Sequence, residues 1–163
     1  MVICCLIFIF IYFIERHDIV LHNRIISGVF NDSSDYINND YIGYISIPKI
    51  NIKRVIKYGT NSNVLDGGYV GLYENCDDLS NDDLIILAGH NISSIFGKLH
   101  IISIGDVVII GNRFVHREFI VYKKEIINEK DDYILKQNRK NELLLVTCDK
   151  KGYRLVVFLK EDL

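Results

Sequence analysis

The stretch Glu142-Leu-Leu-Leu-Val-Thr-Cys148-Asp-Lys-Lys-Gly-Tyr-Arg154-Leu-Val-Val-Phe-Leu159 decides the fold. Two apolar runs with several β-branched residues flank a short polar segment holding one glycine, which is the pattern of a β-hairpin. With Lys150, Lys151 and Gly152 as a three-residue loop and Gly152 left-handed, Asp149 faces Tyr153 and Cys148 faces Arg154. Directly opposed residues project from one face, with Cβ atoms about 4.5–5.5 Å apart. The predicted register therefore sets a thiol beside a guanidinium at the end of two strands. A loop of even length would turn Arg154 to the other face.

A lone strand cysteine is ordinarily a small buried hydrophobe. A second stretch gives Cys148 another reading. Leu84-Ile-Ile-Leu-Ala-Gly-His90-Asn91 is an apolar strand that breaks at glycine and then presents an imidazole. A cysteine and a histidine, each at the mouth of a buried strand, are the parts of a Cys–His nucleophilic site.

Composition narrows the classes. At 163 residues one domain is expected, and an apolar share of 49% is ample for a core. The net charge of −2 is close to neutral, so nothing argues for a nucleic-acid surface, and no nucleic-acid partner is expected. Four cysteines, at positions 4, 5, 76 and 148, show neither Cys-x-x-Cys spacing nor a paired framework, and the five histidines do not cluster with them. No metal centre, disulfide scaffold or cofactor is expected. The acidic run Asp77-Asp78…Asp82-Asp83 lacks the spacing of a calcium loop and reads as a solvated connection, with Cys76 a bystander in it.

Working outward, strands are expected at 41–47 and 52–57, parted by the single proline, Pro48, whose missing N–H suits a strand end. Gly67-Gly68 marks a turn before a short strand at 69–73. Asn91-Ile-Ser-Ser-Ile-Phe-Gly97 suggests a short helix or turn. Strands at 106–110 and 113–122 meet at Gly111-Asn112, a hairpin signal, and His116 within the second reads as a surface residue. Residues 123–141 are charged and predict one helical turn before the closing hairpin. About eight short strands with little helix imply an all-β domain, a sandwich or a barrel.

Val2 to Ile14 is wholly apolar. Thirteen helical residues reach about 20 Å, short of the roughly 30 Å hydrocarbon core. The length fits a signal-peptide core, but no basic segment precedes it and no small-residue cleavage site follows. The expectation is a membrane-anchor helix at 1–14, truncated at its N-terminal end, against a buried soluble helix. A polar linker at 15–40 and a folded domain at 41–163 follow.

Val146-Thr147-Cys148 followed by Arg154, with Ala88-Gly89-His90 upstream, resembles the sortases, the cysteine transpeptidases of Gram-positive cell surfaces. Tyr41-Ile-Gly-Tyr-Ile-Ser-Ile-Pro-Lys-Ile-Asn-Ile is similar to their first strands. Tyr58-Gly-Thr-Asn-Ser-Asn-Val-Leu-Asp-Gly-Gly and Val70-Gly-Leu-Tyr-Glu74 are similar to the connection that follows. Ile95-Phe-Gly-Lys-Leu99 and Gly105-Asp106 match the segment after the histidine. The resemblance spans about residues 41–160, in family order. Val70-Gly71 with Tyr73-Glu74 leans toward class D, and His90-Asn91 with Phe96-Gly97 resembles class B. Departures are Leu144 at the first position of the usual Thr-Leu-x-Thr-Cys motif, a short gap from Cys148 to Arg154, and Asn75–Asp83 where the family carries Pro-Gly.

The resemblance implies an eight-stranded β-barrel. It also implies surface-protein substrates with a C-terminal Leu-Pro-x-Thr-Gly-like sorting signal, cut after threonine. The acceptor would be an amine of peptidoglycan precursor or of a pilin lysine, met at the outer face of the membrane.

In chemical terms Cys148 is the nucleophile, attacking a peptide carbonyl to form a thioester. His90 protonates the leaving amine and deprotonates the incoming one. Arg154 donates hydrogen bonds to the oxyanion or fixes the substrate carbonyl. Thr147 and Asn91, next to the nucleophile and the histidine, are expected to bind substrate. Two other classes remain open: a cysteine hydrolase that releases its acyl group to water, and a catalytically silent β-domain that only binds.

Overall fold

Every second residue from Gly43 to Ile47 is buried, so Tyr41–Ile47 forms a half-buried strand, β1. The structure, a computed structural model, describes residues 41–74, 76, 78–80, 83–112, 114–131 and 138–162. The expected anchor at 1–14 and linker at 15–40 lie outside the described residues. Among the described residues no helix is long and apolar enough to cross a membrane.

Pro48 ends β1 by opening a 3-10 turn, Pro48–Ile50, and Asn51 in the left-handed region (φ 53°) reverses the chain. Strand β2, Ile52–Tyr58, then returns antiparallel to β1. A single helical turn, α1 (Ser62–Leu65), is capped by Asn61, whose side chain accepts from the Val64 amide at 3.2 Å. It carries the chain to β3 (Val70–Leu72), parallel to β2. Strands β4 (Ile85–Ala88), β5 (Val107–Gly111), β6 (His116–Asn128), β7 (Glu142–Cys148) and β8 (Tyr153–Glu161) complete the set.

The strand order β1-β2-β3-β4-β7-β8-β6-β5 returns to β1, so the sheet closes into a barrel without free edges. β4 runs parallel to β7, and both are near-continuous apolar runs because both of their faces are covered. Phe96, Phe119, Phe158, Ile45, Leu72 and Leu145 are fully buried in the barrel core.

Two expectations need correction. The helical turn expected within 123–141 is not one of them: residues 132–137 lie outside the described residues, although β6 runs as strand through to Asn128. A bulge at Tyr122 shifts its register against β8, and its charged side chains find surface partners. The Lys123 ammonium lies 5.0 Å from the centroid of Phe158, and Lys124 donates to the His100 carbonyl at 3.0 Å. The turn at Gly111-Asn112 is longer than two residues. Gly111 pairs with His116, and Asn112 holds the intervening loop by accepting from the amides of Phe114 (2.8 Å) and Val115 (3.0 Å). Cys76 is buried, not an open-loop residue, and its thiol donates to the Leu84 carbonyl at 3.2 Å. His116 is exposed.

Candidate active site

Lys150-Lys151-Gly152 makes a three-residue loop because Gly152 takes φ +82°, where a side chain is strained. The Tyr153 amide donates to the Lys150 carbonyl at 2.8 Å, and the Asp149 amide to the Tyr153 carbonyl at 3.0 Å. Cys148 is thereby set directly opposite Arg154 on neighbouring antiparallel strands. Among the described residues neither side chain has a hydrogen bond or ion pair. Cys148 is exposed and Arg154 half-buried.

The histidine arrives from the parallel neighbour. β4 stops at Ala88, but the ladder continues by one bond, from the Gly89 amide to the Val146 carbonyl at 3.1 Å. Only glycine fits there: a Cβ on residue 89 would come within 2.8 Å of both Ile95 and Phe96. The buried Thr147 hydroxyl donates to the Gly89 carbonyl at 2.8 Å. His90 follows at once. The amide of Phe96 donates to its carbonyl at 3.1 Å, and its Nε2 lies 2.8 Å from Asp66 Oδ1.

His90, Cys148 and Arg154 line one groove of about 340 Å³. Its floor is apolar, with Ile86, Ala88 and Val146 from the paired strands β4 and β7. Leu65 of α1, Thr60 and Tyr73 form further walls. A concave apolar floor with a few convergent polar groups is the usual build of a binding site. A thiol, an imidazole and a guanidinium at its rim can attack a carbonyl, move a proton and hold an oxyanion.

A family model described as the sortase domain matches residues 45–162. The chain belongs to the sortase family. It is 30% identical over 107 residues to sortase D of Bacillus subtilis, covering 65% of this chain and 53% of that protein. It is 23% identical over 127 residues to sortase A of Listeria monocytogenes, covering 76% of this chain and 56% of the other. This sortase thus spans about half the length of the curated relatives it matches. Among solved structures, sortase C1 from Streptococcus agalactiae superposes with a TM-score of 0.71 at 29% identity, over 82% of this chain and 74% of that one. A sortase D5 transpeptidase from Clostridium perfringens gives 0.73 at 22% identity, over 85% and 94%. The eight-stranded barrel is the fold these structures share.

In this sortase the residues singled out from the sequence divide into two groups. His90, Cys148, Arg154 and Thr147 all reach the groove, although the Thr147 hydroxyl is spent on the scaffold. Asn91 is exposed and lies outside the groove lining. Sequence reasoning missed Asp66 and the Leu65 wall. The one local signal was their place just ahead of the Gly67-Gly68 turn, which says nothing about His90, 24 residues away in sequence.

Proposed function

We propose that this sortase is a cysteine transpeptidase that cleaves an LPxTG-like sorting signal and passes the acyl group to an amine. The observation that carries the reading is the opposition of Cys148 and Arg154 at the rim of a groove that His90 also lines. The Cys148 sulfur, as thiolate, attacks the carbonyl carbon after the signal's threonine. Arg154, whose planar fork stays charged, donates to the oxyanion that forms. His90 gives a proton to the leaving amine as the C–N bond breaks, which leaves a thioester on Cys148. An incoming amine loses a proton to His90, attacks the thioester, and expels the cysteine sulfur.

We take the substrates to be surface proteins with a C-terminal sorting signal. The acceptor is an amine of peptidoglycan precursor or of a pilin lysine. The 30% identity to a sortase D supports a class D-like assignment, with the class B-like features of His90-Asn91 and Phe96-Gly97 kept beside it. The apolar run Val2–Ile14 supports a single-pass anchor, with residues 15–40 as stalk and the catalytic domain from residue 41 outside the cell.

Product analysis tests the reaction type. The full chain is incubated with a sorting peptide, with and without added amine. Transfer predicts an amide product that grows with amine concentration. Release of the free acid alone, unchanged by amine, would make the protein a hydrolase.

A further inference from the structure

The groove brings with it a residue that no motif points to. Helix α1 ends with Leu65 in the groove wall, and the next residue, Asp66, turns its carboxylate onto His90 at 2.8 Å. Asp66 is held by its own backbone, since its amide donates to the Ser62 carbonyl at 2.8 Å as the helix cap. The His90 backbone is tied on its side by the Phe96 amide. Both partners of the contact are therefore anchored before their side chains meet.

The side chains are 40% and 69% exposed, so the pair adds little to stability. Its directionality is a different matter. A carboxylate only accepts, so the hydrogen bond must be donated by Nε2–H. In a neutral imidazole that leaves the lone pair on Nδ1, because the partner of one ring nitrogen sets the state of the other.

We propose that Asp66 is a positioning residue: it holds His90 as the Nε2-protonated tautomer and leaves Nδ1 as the nitrogen that exchanges protons in the reaction. The proposal rests on the transpeptidase reading of the same groove. The protons balance through one atom. Nδ1 takes the proton of the Cys148 thiol, and the resulting imidazolium faces the Asp66 carboxylate. It gives that proton to the leaving amine when the thioester forms. In the second half it takes a proton from the incoming amine and returns it to the cysteine sulfur as that leaves.

The test compares the full chain with Asp66→Ala and Asp66→Asn. In the ¹⁵N-histidine-labelled protein, the His90 ring resonances are identified by their loss in His90→Gln. The neutral wild-type ring should show protonated Nε2 and bare Nδ1. Asp66→Ala should give a mixture of tautomers, and so should Asp66→Asn, because its amide can offer the ring either an accepting oxygen or a donating N–H. With a sorting peptide, Asp66→Ala should lower kcat about 10-fold with KM unchanged, less than the 10²–10⁴-fold typical of losing the acid–base group itself. Asp66→Asn should not restore the wild-type rate although it keeps the shape, because its amide no longer dictates which ring nitrogen carries the proton. A purely structural role would instead lower the melting temperature of both variants. An Asp66→Ala ring that keeps the Nε2 tautomer overturns the proposal, and so does a kcat equal to or above wild type. A wild-type chain that forms no acyl-enzyme sinks the transpeptidase reading. The ring tautomer, which needs no substrate, then decides the Asp66 contact alone.

Discussion

Thr147 donates its buried hydroxyl to the Gly89 carbonyl at 2.8 Å, so the residue before the cysteine holds the residue before the histidine. β4 and β7 run parallel side by side, and their ends carry His90 and Cys148 to the same rim. The hydrogen bond locks those two ends together just where the ladder finishes. The relative placement of imidazole and thiol is thus a property of the barrel.

Thr147→Val keeps the shape and removes the donor. A buried acceptor left unsatisfied costs about 1–3 kcal/mol. The urea midpoint should fall accordingly, and the rate of acyl-enzyme formation should fall with it, because Gly89 is released. An unchanged midpoint would mean that water or another donor replaces the hydroxyl.

Gly89→Ala should be worse than an alanine at most strand ends. Its Cβ would meet Ile95 and Phe96 at 2.8 Å, and both are fully buried. Overpacking of this kind costs about 1–3 kcal/mol. The melting temperature should drop, and trimming Phe96 to Leu in the same chain should recover part of the loss. A wild-type melting curve for Gly89→Ala alone would show that the β4 end is softer than its packing implies.

Away from the groove, Arg117 is 8% exposed on β6 and makes two hydrogen bonds to the Glu161 carboxylate, one of them at 2.7 Å. It also donates to the Leu79 carbonyl at 3.1 Å. Glu161→Ala removes the carboxylate that takes two hydrogen bonds from that buried guanidinium, which should cost on the order of 3 kcal/mol. Replacing both residues by methionine should restore most of the stability, since the pair itself repays little more than its own desolvation. Denaturant titration of the three variants checks this. A single variant as stable as wild type would contradict the burial of the pair.

Gly152 at φ +82° fixes the odd loop length on which the Cys148–Arg154 register depends. Gly152→Val should cost about 1–2 kcal/mol from the left-handed backbone alone. Acyl-enzyme formation should fall further than stability does, because a loop that relaxes shifts the register and turns Arg154 from the groove. Equal activity at reduced stability would separate the loop from the site.

The hairpin was legible because its alternation and its glycine agree on one register. β1, β2 and β4 were legible because apolar runs end at Pro48 and Gly89, residues that punctuate a chain for steric reasons. β6 was not legible past Tyr122, since its bulge breaks the alternation and Lys123, Lys124 and Glu125 carry the polar signature of a loop. Asp66 and Arg117 were missed for another reason. Asp66 meets His90 from the end of α1, 24 residues away in sequence, and Arg117 meets Glu161 on the neighbouring strand, 44 residues away, and no local pattern encodes such meetings.

The central claim is that Cys148, His90 and Arg154 form one acyl-transfer site. Intact-mass spectrometry of the full chain, mixed with a sorting peptide and sampled in time, tests it most directly. Wild type should gain the mass of the acyl fragment, and hydroxylamine should remove it, as a thioester requires. Cys148→Ala should gain nothing. His90→Ala should form the adduct about 10²–10⁴-fold more slowly, and Arg154→Lys about 10²–10³-fold more slowly, because the charge remains but the fork is lost. An adduct that persists in Cys148→Ala, or a wild-type chain whose mass never changes, would contradict the account.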